Sequence, residues 1–348
     1  MKSKINRSFQ YKILCVAMML FGSGQLAIAA NWQTLPTKAP EPADNPTTSE
    51  KVKLGQILFL DPRLSSTGTV SCNSCHNVMA GGEDNRPFAA GVHGQVGGRS
   101  APTVWNSAFS AVQFWDGRAP SLEEQAKGPV TNPIEMGMKS WDDVVKRLKA
   151  IPGYPELFSA AFSADKDPVT RDNAAKAIAA YERTLITPNS AYDKYVKGDK
   201  SALTEQQVSG MNTFAEVGCA GCHSGAAFNG NGAFMKFPVH RNGMFEAKYK
   251  LSKDPGRFEV TKNDADKSMF KVPTLRNIAL TAPYFHNGSV NKLSAAVVVM
   301  AKMQLGQSLK QQQVKDIVAF LEALTGEFPA QTMPRLPGTP GTTFPYVQ

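Results

Sequence analysis

Along this chain the apolar positions form short helical stripes, and the stripes occur twice. Gly55 and Phe59 stand one helical turn apart ahead of a first pair of cysteines, and Gly210 and Phe214 repeat that spacing ahead of a second pair. The second stretch opens on the capping box Thr204-x-x-Gln207 and carries Val208, Met211 and Phe214 on one face, which predicts a short helix from that cap. Further on, Ala175 to Leu185 aligns without a gap with Val314 to Leu324: Lys, Ile, Ala and Leu coincide and Tyr181 meets Phe320. Val314, Ile317, Val318, Leu321 and Leu324 make one apolar face at helical spacing. The pattern predicts an all-α chain built from two copies of one unit, each with a helix before its cysteines and a closing helix after them.

The ends read differently. Lys2, Lys4, Arg7 and Lys12 precede the apolar run Ile13 to Phe21, and the small residues Ala27, Ala29 and Ala30 follow, which predicts a cleavable export signal over residues 1–30. The run falls short of the roughly 20 residues that span a bilayer, and Gly22 to Gln25 interrupt it; Cys15 lies inside it. The mature chain is expected to carry no membrane span and to work in the periplasm. Pro188 and the polar stretch 197–201 divide it into units at 31–188 and 189–330, with 331–348 as an extended C-terminal arm. The Pro/Gly-rich ends, 35–47 and 326–344, read as extended arms over the surface or as disorder.

Charge changes the picture little. Losing a signal with four basic residues and no acid lowers the formal charge from +9 to +5. No basic stripe interleaved with aromatics supports nucleic-acid binding.

The cysteines carry the chemistry. Outside the signal there are four, as Cys72-Asn-Ser-Cys75-His76 and Cys219-Ala-Gly-Cys222-His223, whose motifs start 147 residues apart, one domain length. C-x-x-C-H is the attachment sequence of haem c: two thiols form thioethers to the porphyrin and the next histidine binds iron. A redox pair, a zinc site or disulfides would need that histidine by coincidence twice in a chain with five histidines. The expected architecture is two tandem cytochrome c-like domains, each with one covalently bound haem c. Up to four propionates from two haems would bring the holoprotein near neutrality.

The sixth iron ligand sets how the two haems differ, since a methionine raises the potential relative to a second imidazole. In the second unit Met300 is the preferred candidate and Met303 the alternative, because both fall between the haem motif and the closing helix. In the first unit spacing leaves two readings open. His93 sits on the glycine-rich stretch 91–98, from which a ligand can be released; Met136 or Met138 sits where a small cytochrome c holds its methionine. His240 reads as a surface or packing residue, and His286 as a neighbour of the second haem.

Over roughly residues 54–326 the chain resembles the bacterial di-haem cytochrome c peroxidases. The stretches Leu54-Gly-Gln-Ile-Leu-Phe59, Ala101-Pro-Thr-Val-Trp-Asn106, Gln113-Phe-Trp-Asp-Gly-Arg118, Glu124-Gln-Ala-Lys-Gly-Pro129, Phe270-Lys-Val-Pro-Thr-Leu-Arg-Asn277 and Thr281-Ala-Pro-Tyr-Phe-His286 carry the likeness. The resemblance implies that His93 is the resting sixth ligand of a peroxidatic first haem and Met300 that of an electron-accepting second haem. It implies that Glu135 is the catalytic acid–base, Gln125 its companion, and Trp115 the residue between the haems. Met136 and Met138 then become neighbours of the catalytic acid. A Ca²⁺ between the domains is also implied, at Ser100, which stands where the family has asparagine, and at the carbonyls of Thr281 and Pro283.

The expected activity is reduction of hydrogen peroxide to water, with electrons from a small periplasmic cytochrome c or cupredoxin and a homodimer as the assembly. Two alternatives are a plain di-haem electron carrier and a related di-haem enzyme that oxidises a protein side chain. The second has a tyrosine where this chain has Met300.

Overall fold

The computed structural model describes residues 31–339, so the expected export signal and residues 340–348 of the arm lie outside the described residues. The first unit contains α1 (Ser49–Leu60), α2 (Cys72–Cys75), α3 (Leu122–Thr131), α4 (Trp141–Ala150), α5 (Tyr154–Ala161) and α6 (Arg171–Glu182). The second contains α7 (Ala191–Val196), α8 (Glu205–Glu216), α9 (Gly243–Tyr249), α10 (Phe258–Thr261), α11 (Leu293–Met303) and α12 (Gln311–Glu322). One small antiparallel ribbon joins β1 (Phe234–Lys236) to β2 (Met269–Lys271), with Met235 opposite Phe270. The fold is thus mostly helical. Among the described residues no helix is long and apolar enough to cross a membrane.

Local chemistry starts these helices. Thr48, Ser121, Ser140, Thr170 and Thr204 each accept a hydrogen bond from the backbone N–H three residues on. Each such cap contributes about 1 kcal/mol by satisfying a donor the helix leaves free.

The repeat seen in the sequence is present in the packing. Helix α1 crosses α6 at Gly55, where an added Cβ would lie 1.9 Å from the carbonyl oxygen of Ala177; α8 crosses α12 at Gly210, where it would lie 1.9 Å from that of Asp316. One turn along each pair, Phe59 meets Tyr181 and Phe214 meets Phe320, both edge to face with centroids 5.4 Å apart. Glycine is required at both crossings because the backbones touch.

A second repeat joins the units. Thr103 Oγ1 donates to Gly81 O at 2.6 Å and Thr274 Oγ1 to Ala227 O at 2.7 Å. Three residues beyond each threonine, Asn106 and Asn277 adopt left-handed backbone and meet at one side chain between the units. Asn106 Nδ2 and Asn277 Nδ2 donate to Thr187 Oγ1 at 2.8 and 2.9 Å. The chain crosses from one unit to the other at this pinned threonine.

The terminal arms are docked and exchanged. Trp32 places its ring against Tyr192 and Phe320, both in the core of the second unit, with centroids 6.1 and 5.9 Å away. Leu35 N–H donates to Asp193 Oδ1 at 3.0 Å. In return, Gln331 Oε1 accepts from Tyr181 Oη at 2.9 Å, Thr332 O from Gln56 Nε2 at 3.0 Å, and Pro337 O from Arg63 Nη1 at 2.9 Å, all in the first unit. A cut at residue 188 therefore divides the helices but not the cores, because each core is completed by the opposite end of the chain.

Candidate active site

Each C-x-x-C-H segment lines a cavity. The first, about 1010 Å³, is lined by Cys72, Cys75 and His76 together with Gln125, Glu135 and Trp115. The second, about 260 Å³, is lined by Cys219, Cys222, His223 and Met300, and again by Trp115.

The segments have the chemistry of haem attachment. None of these four cysteines is paired in a disulfide. Burial pushes Cys219 up to about 12 and Cys75 up to about 11, and raises Cys72 further, opposite to the lowered thiol pKa of a redox pair. His76 Nδ1 lies 3.0 Å from Pro102 O and His223 Nδ1 3.0 Å from Phe228 O. Burial lowers both imidazole pKa values. A neutral ring anchored through Nδ1 to a carbonyl has Nε2 available for a metal, the usual arrangement of a ligating histidine.

Around the first cavity, α3 and the turn after it supply the acid and amide. Ser121 caps α3 and sets the helix that carries Gln125. Glu135 follows in the turn from Asn132, whose Nδ2 donates to Glu135 Oε1 at 3.1 Å. Burial raises the Glu135 pKa, against the opposing Arg118 charge and the Asn132 hydrogen bond. Met136 and Met138 are buried in the first unit's core beside this acid.

His93 stands elsewhere. Its side chain is exposed, on backbone at φ +57°, and does not line the cavity, although Gly91 and Gly97 on the same loop do. The loop is fixed at one end: Val92 N–H donates to Glu135 O at 2.9 Å, and a Cβ on Gly91 would lie 1.9 Å from Ile134 O. The structure brings the expected cysteines, His76, Gln125, Glu135 and Trp115 together, and leaves His93 apart from them.

In the second unit α11 carries both methionines. Met300 reaches the cavity wall, whereas Met303 is fully buried in the core. His240 is on the surface. Ser100, Thr281 and Pro283 line one stretch of this same cavity. Among the described residues no group of three or more His, Cys, Asp or Glu could hold a metal ion, so any cation there depends on neutral oxygens and on the buried Glu83 nearby.

The wall between the cavities is built from repeat-related residues. Trp115 and His286 each follow a phenylalanine at positive φ and precede a glycine at positive φ by two residues, and both line both cavities. Lys271 N–H donates to Trp115 O at 2.8 Å, and Ser100 N–H donates to His286 O at 2.7 Å. Trp115 Nε1 closes the set on Ser100 O at 2.9 Å. The equivalence of Phe114-Trp-Asp-Gly117 with Phe285-His-Asn-Gly288 is visible in the sequence and would have placed His286 at this wall. Among the cavity-lining residues that escaped the sequence reading are Glu83, Lys271 and Glu182.

A mostly helical chain with two cavities, each offering two thiols and an anchored imidazole, is a haem oxidoreductase in class. Residues 49–201 match the family model described as di-haem cytochrome c peroxidase. A cytochrome c551 peroxidase of Pseudomonas aeruginosa is 45% identical over 316 residues, 90% of each chain. One of Nitrosomonas europaea is 42% identical over 334 residues, 96% of each. A solved MauG-like protein associated with microbial copper homeostasis superimposes with a TM-score of 0.73 at 30% identity, over 85% of this chain and 96% of its own. The chain belongs to the di-haem cytochrome c peroxidase family, and it is a cytochrome c peroxidase with haem as its cofactor.

Proposed function

We propose that this chain reduces hydrogen peroxide in its first cavity with electrons that enter at the second, in the balance H₂O₂ + 2 H⁺ + 2 e⁻ → 2 H₂O. The observation that carries the reading is the inequality of the two cavities: Glu135 and Gln125 face the first, Met300 faces the second, and Trp115 lines both. One haem c would be held by Cys72, Cys75 and His76, and the other by Cys219, Cys222, His223 and Met300. Haem supplies the iron that exchanges electrons and binds peroxide.

The protein's own part is proton handling and placement. Asn132 occupies Glu135 Oε1, leaving Oε2 to take the proton from the near peroxide oxygen and return it at the far one, which departs as water. Gln125 orients the peroxide. His93, on its glycine-rich loop, would supply the first haem's releasable ligand. Trp115 carries the electron path between the cavities. The donor is a small periplasmic cytochrome c or cupredoxin, the location is the periplasm, and the assembly is a homodimer. A Ca²⁺ held by Ser100 and the carbonyls of Thr281 and Pro283 would tie the units together.

Mixing the two-haem protein with peroxide and a reduced small cytochrome c tests this. Oxidation of the donor with two electrons per peroxide is the expected result. No turnover, even after half-reduction, would favour a plain electron carrier.

A further inference from the structure

Each closing helix presents an equivalent pair of residues to its cavity, and the two pairs differ at one place. Ile178 and Glu182 of α6 line the first cavity, while Ile317 and Leu321 of α12, at the same places in the repeat, line the second. An aliphatic residue in one unit is thus a carboxyl in the other. Glu182 is 6% exposed, and its Oε2 has no hydrogen-bond partner among the described residues. A buried carboxyl without a partner is costly when ionised, so a place for it in a cavity wall calls for an account.

Resting on the haem placement proposed above, we infer that Glu182 couples electron uptake at the first haem to uptake of a proton. The step is one electron onto the first haem iron, supplied by the donor the peroxidase reaction already needs, and one proton from solvent onto the Glu182 carboxylate. A ferric haem carries one more positive charge than a ferrous haem, so the ferric form favours ionised Glu182 and the ferrous form favours the neutral acid. Such coupling is reciprocal: protonation raises the potential by as much as reduction raises the proton affinity.

The charged surroundings allow titration near neutrality. Burial pushes Glu182 up to about 8, with the Arg183 charge opposing and the Glu123 charge adding to it. Arg183 is itself paired with Glu123, Nη2 to Oε1 at 2.6 Å, which blunts both. Lys51 on α1 lies close to that pair, and Cys72 on α2 and Tyr181 on α6 both feel the Glu182 charge. The thiol of Cys72 becomes a thioether in the holoprotein and then does not titrate.

Spectroelectrochemical titration of both haems in the holoprotein, on both sides of neutrality, tests the inference in the wild type, E182Q and E182L. The first haem's potential should fall as pH rises, approaching about 59 mV for each tenfold change in proton concentration. Both variants should reduce that slope, leaving what Glu135 on the same cavity contributes, and leave the second haem unchanged. Counting haems first separates two failures. Two haems with an unaltered slope in E182Q overturns the role of Glu182 alone, whereas a wild-type first unit without haem overturns the placement as well. Should both variants lose the first haem, proton uptake on reduction of the unbuffered wild-type protein decides. Uptake approaching one proton per first haem supports the coupling, and none overturns it.

Discussion

Trp115 and His286 stand at equivalent positions of the two units, and their rings meet edge to face with centroids 6.3 Å apart. Each is held by a backbone hydrogen bond from the opposite unit, and Phe270 stacks on His286 with centroids 4.4 Å apart. Both rings line both cavities, so this contact lies in the wall the cavities share. Trp115→Ala should keep both haems but slow electron passage from the second to the first on the order of tenfold, about 1.4 kcal/mol in barrier. Rapid mixing of half-reduced protein with peroxide measures it, and an unchanged rate would remove Trp115 from the path.

Glu135 should be needed for turnover and not for haem retention. Glu135→Gln keeps the shape and removes the base, so peroxide turnover should drop by about 10²–10⁴-fold with haem content unchanged. A drop smaller than tenfold would assign the proton to another group.

The pH profile follows from the same residue. Glu135 must be ionised to accept the proton, and burial raises its pKa. The activity should therefore be lost as pH falls, with its acid limb above the ordinary carboxylate range. Arg118 holds that pKa down, so Arg118→Met should move the limb to still higher pH. A limb that stays fixed in this variant would show that another group controls it.

The helix crossings should tolerate no side chain. Gly55→Ala and Gly210→Ala each push a methyl group into a carbonyl oxygen and should cost about 1–3 kcal/mol, occasionally more. Thermal unfolding of the holoprotein reads this, and a midpoint unchanged in both variants would contradict the close crossing.

The exchanged arms predict an effect across units. A chain ending at Pro329 loses the acceptors for Gln56, Tyr181 and Arg63, three hydrogen bonds at about 1 kcal/mol each. The first unit, not the second from which the arm departs, should unfold at lower denaturant. Equal loss in both units, followed by the spectrum of each haem, would count against the exchange.

Much of this was legible in the sequence because the repeated elements are set by local chemistry. Gly55, Gly210 and the cap at Thr204 act within a turn of their own helix or at one crossing, and the aligned closing helices marked the repeat. Placement of His93 was not legible. Its loop is glycine-rich, so spacing alone does not decide whether the imidazole points in or out, and it stands exposed here. The docking of Trp32 on Tyr192 and of Gln331 on Tyr181 depends on residues more than 140 positions apart, with no periodicity to announce it. Glu182 was hidden for a different reason. It lies within a helix whose pattern reads as packing, and only its pairing with Leu321 marks it as an exception.

On the proposed function one chain holds two unequal haems, one keeping its sixth ligand and one releasing it. The spin state of each haem before and after the addition of one electron tests this most directly. The second haem should stay low-spin with methionine ligation when reduced, and the first should become high-spin and bind peroxide. Two irons that both remain six-coordinate and low-spin, with peroxide left unreduced, would contradict it.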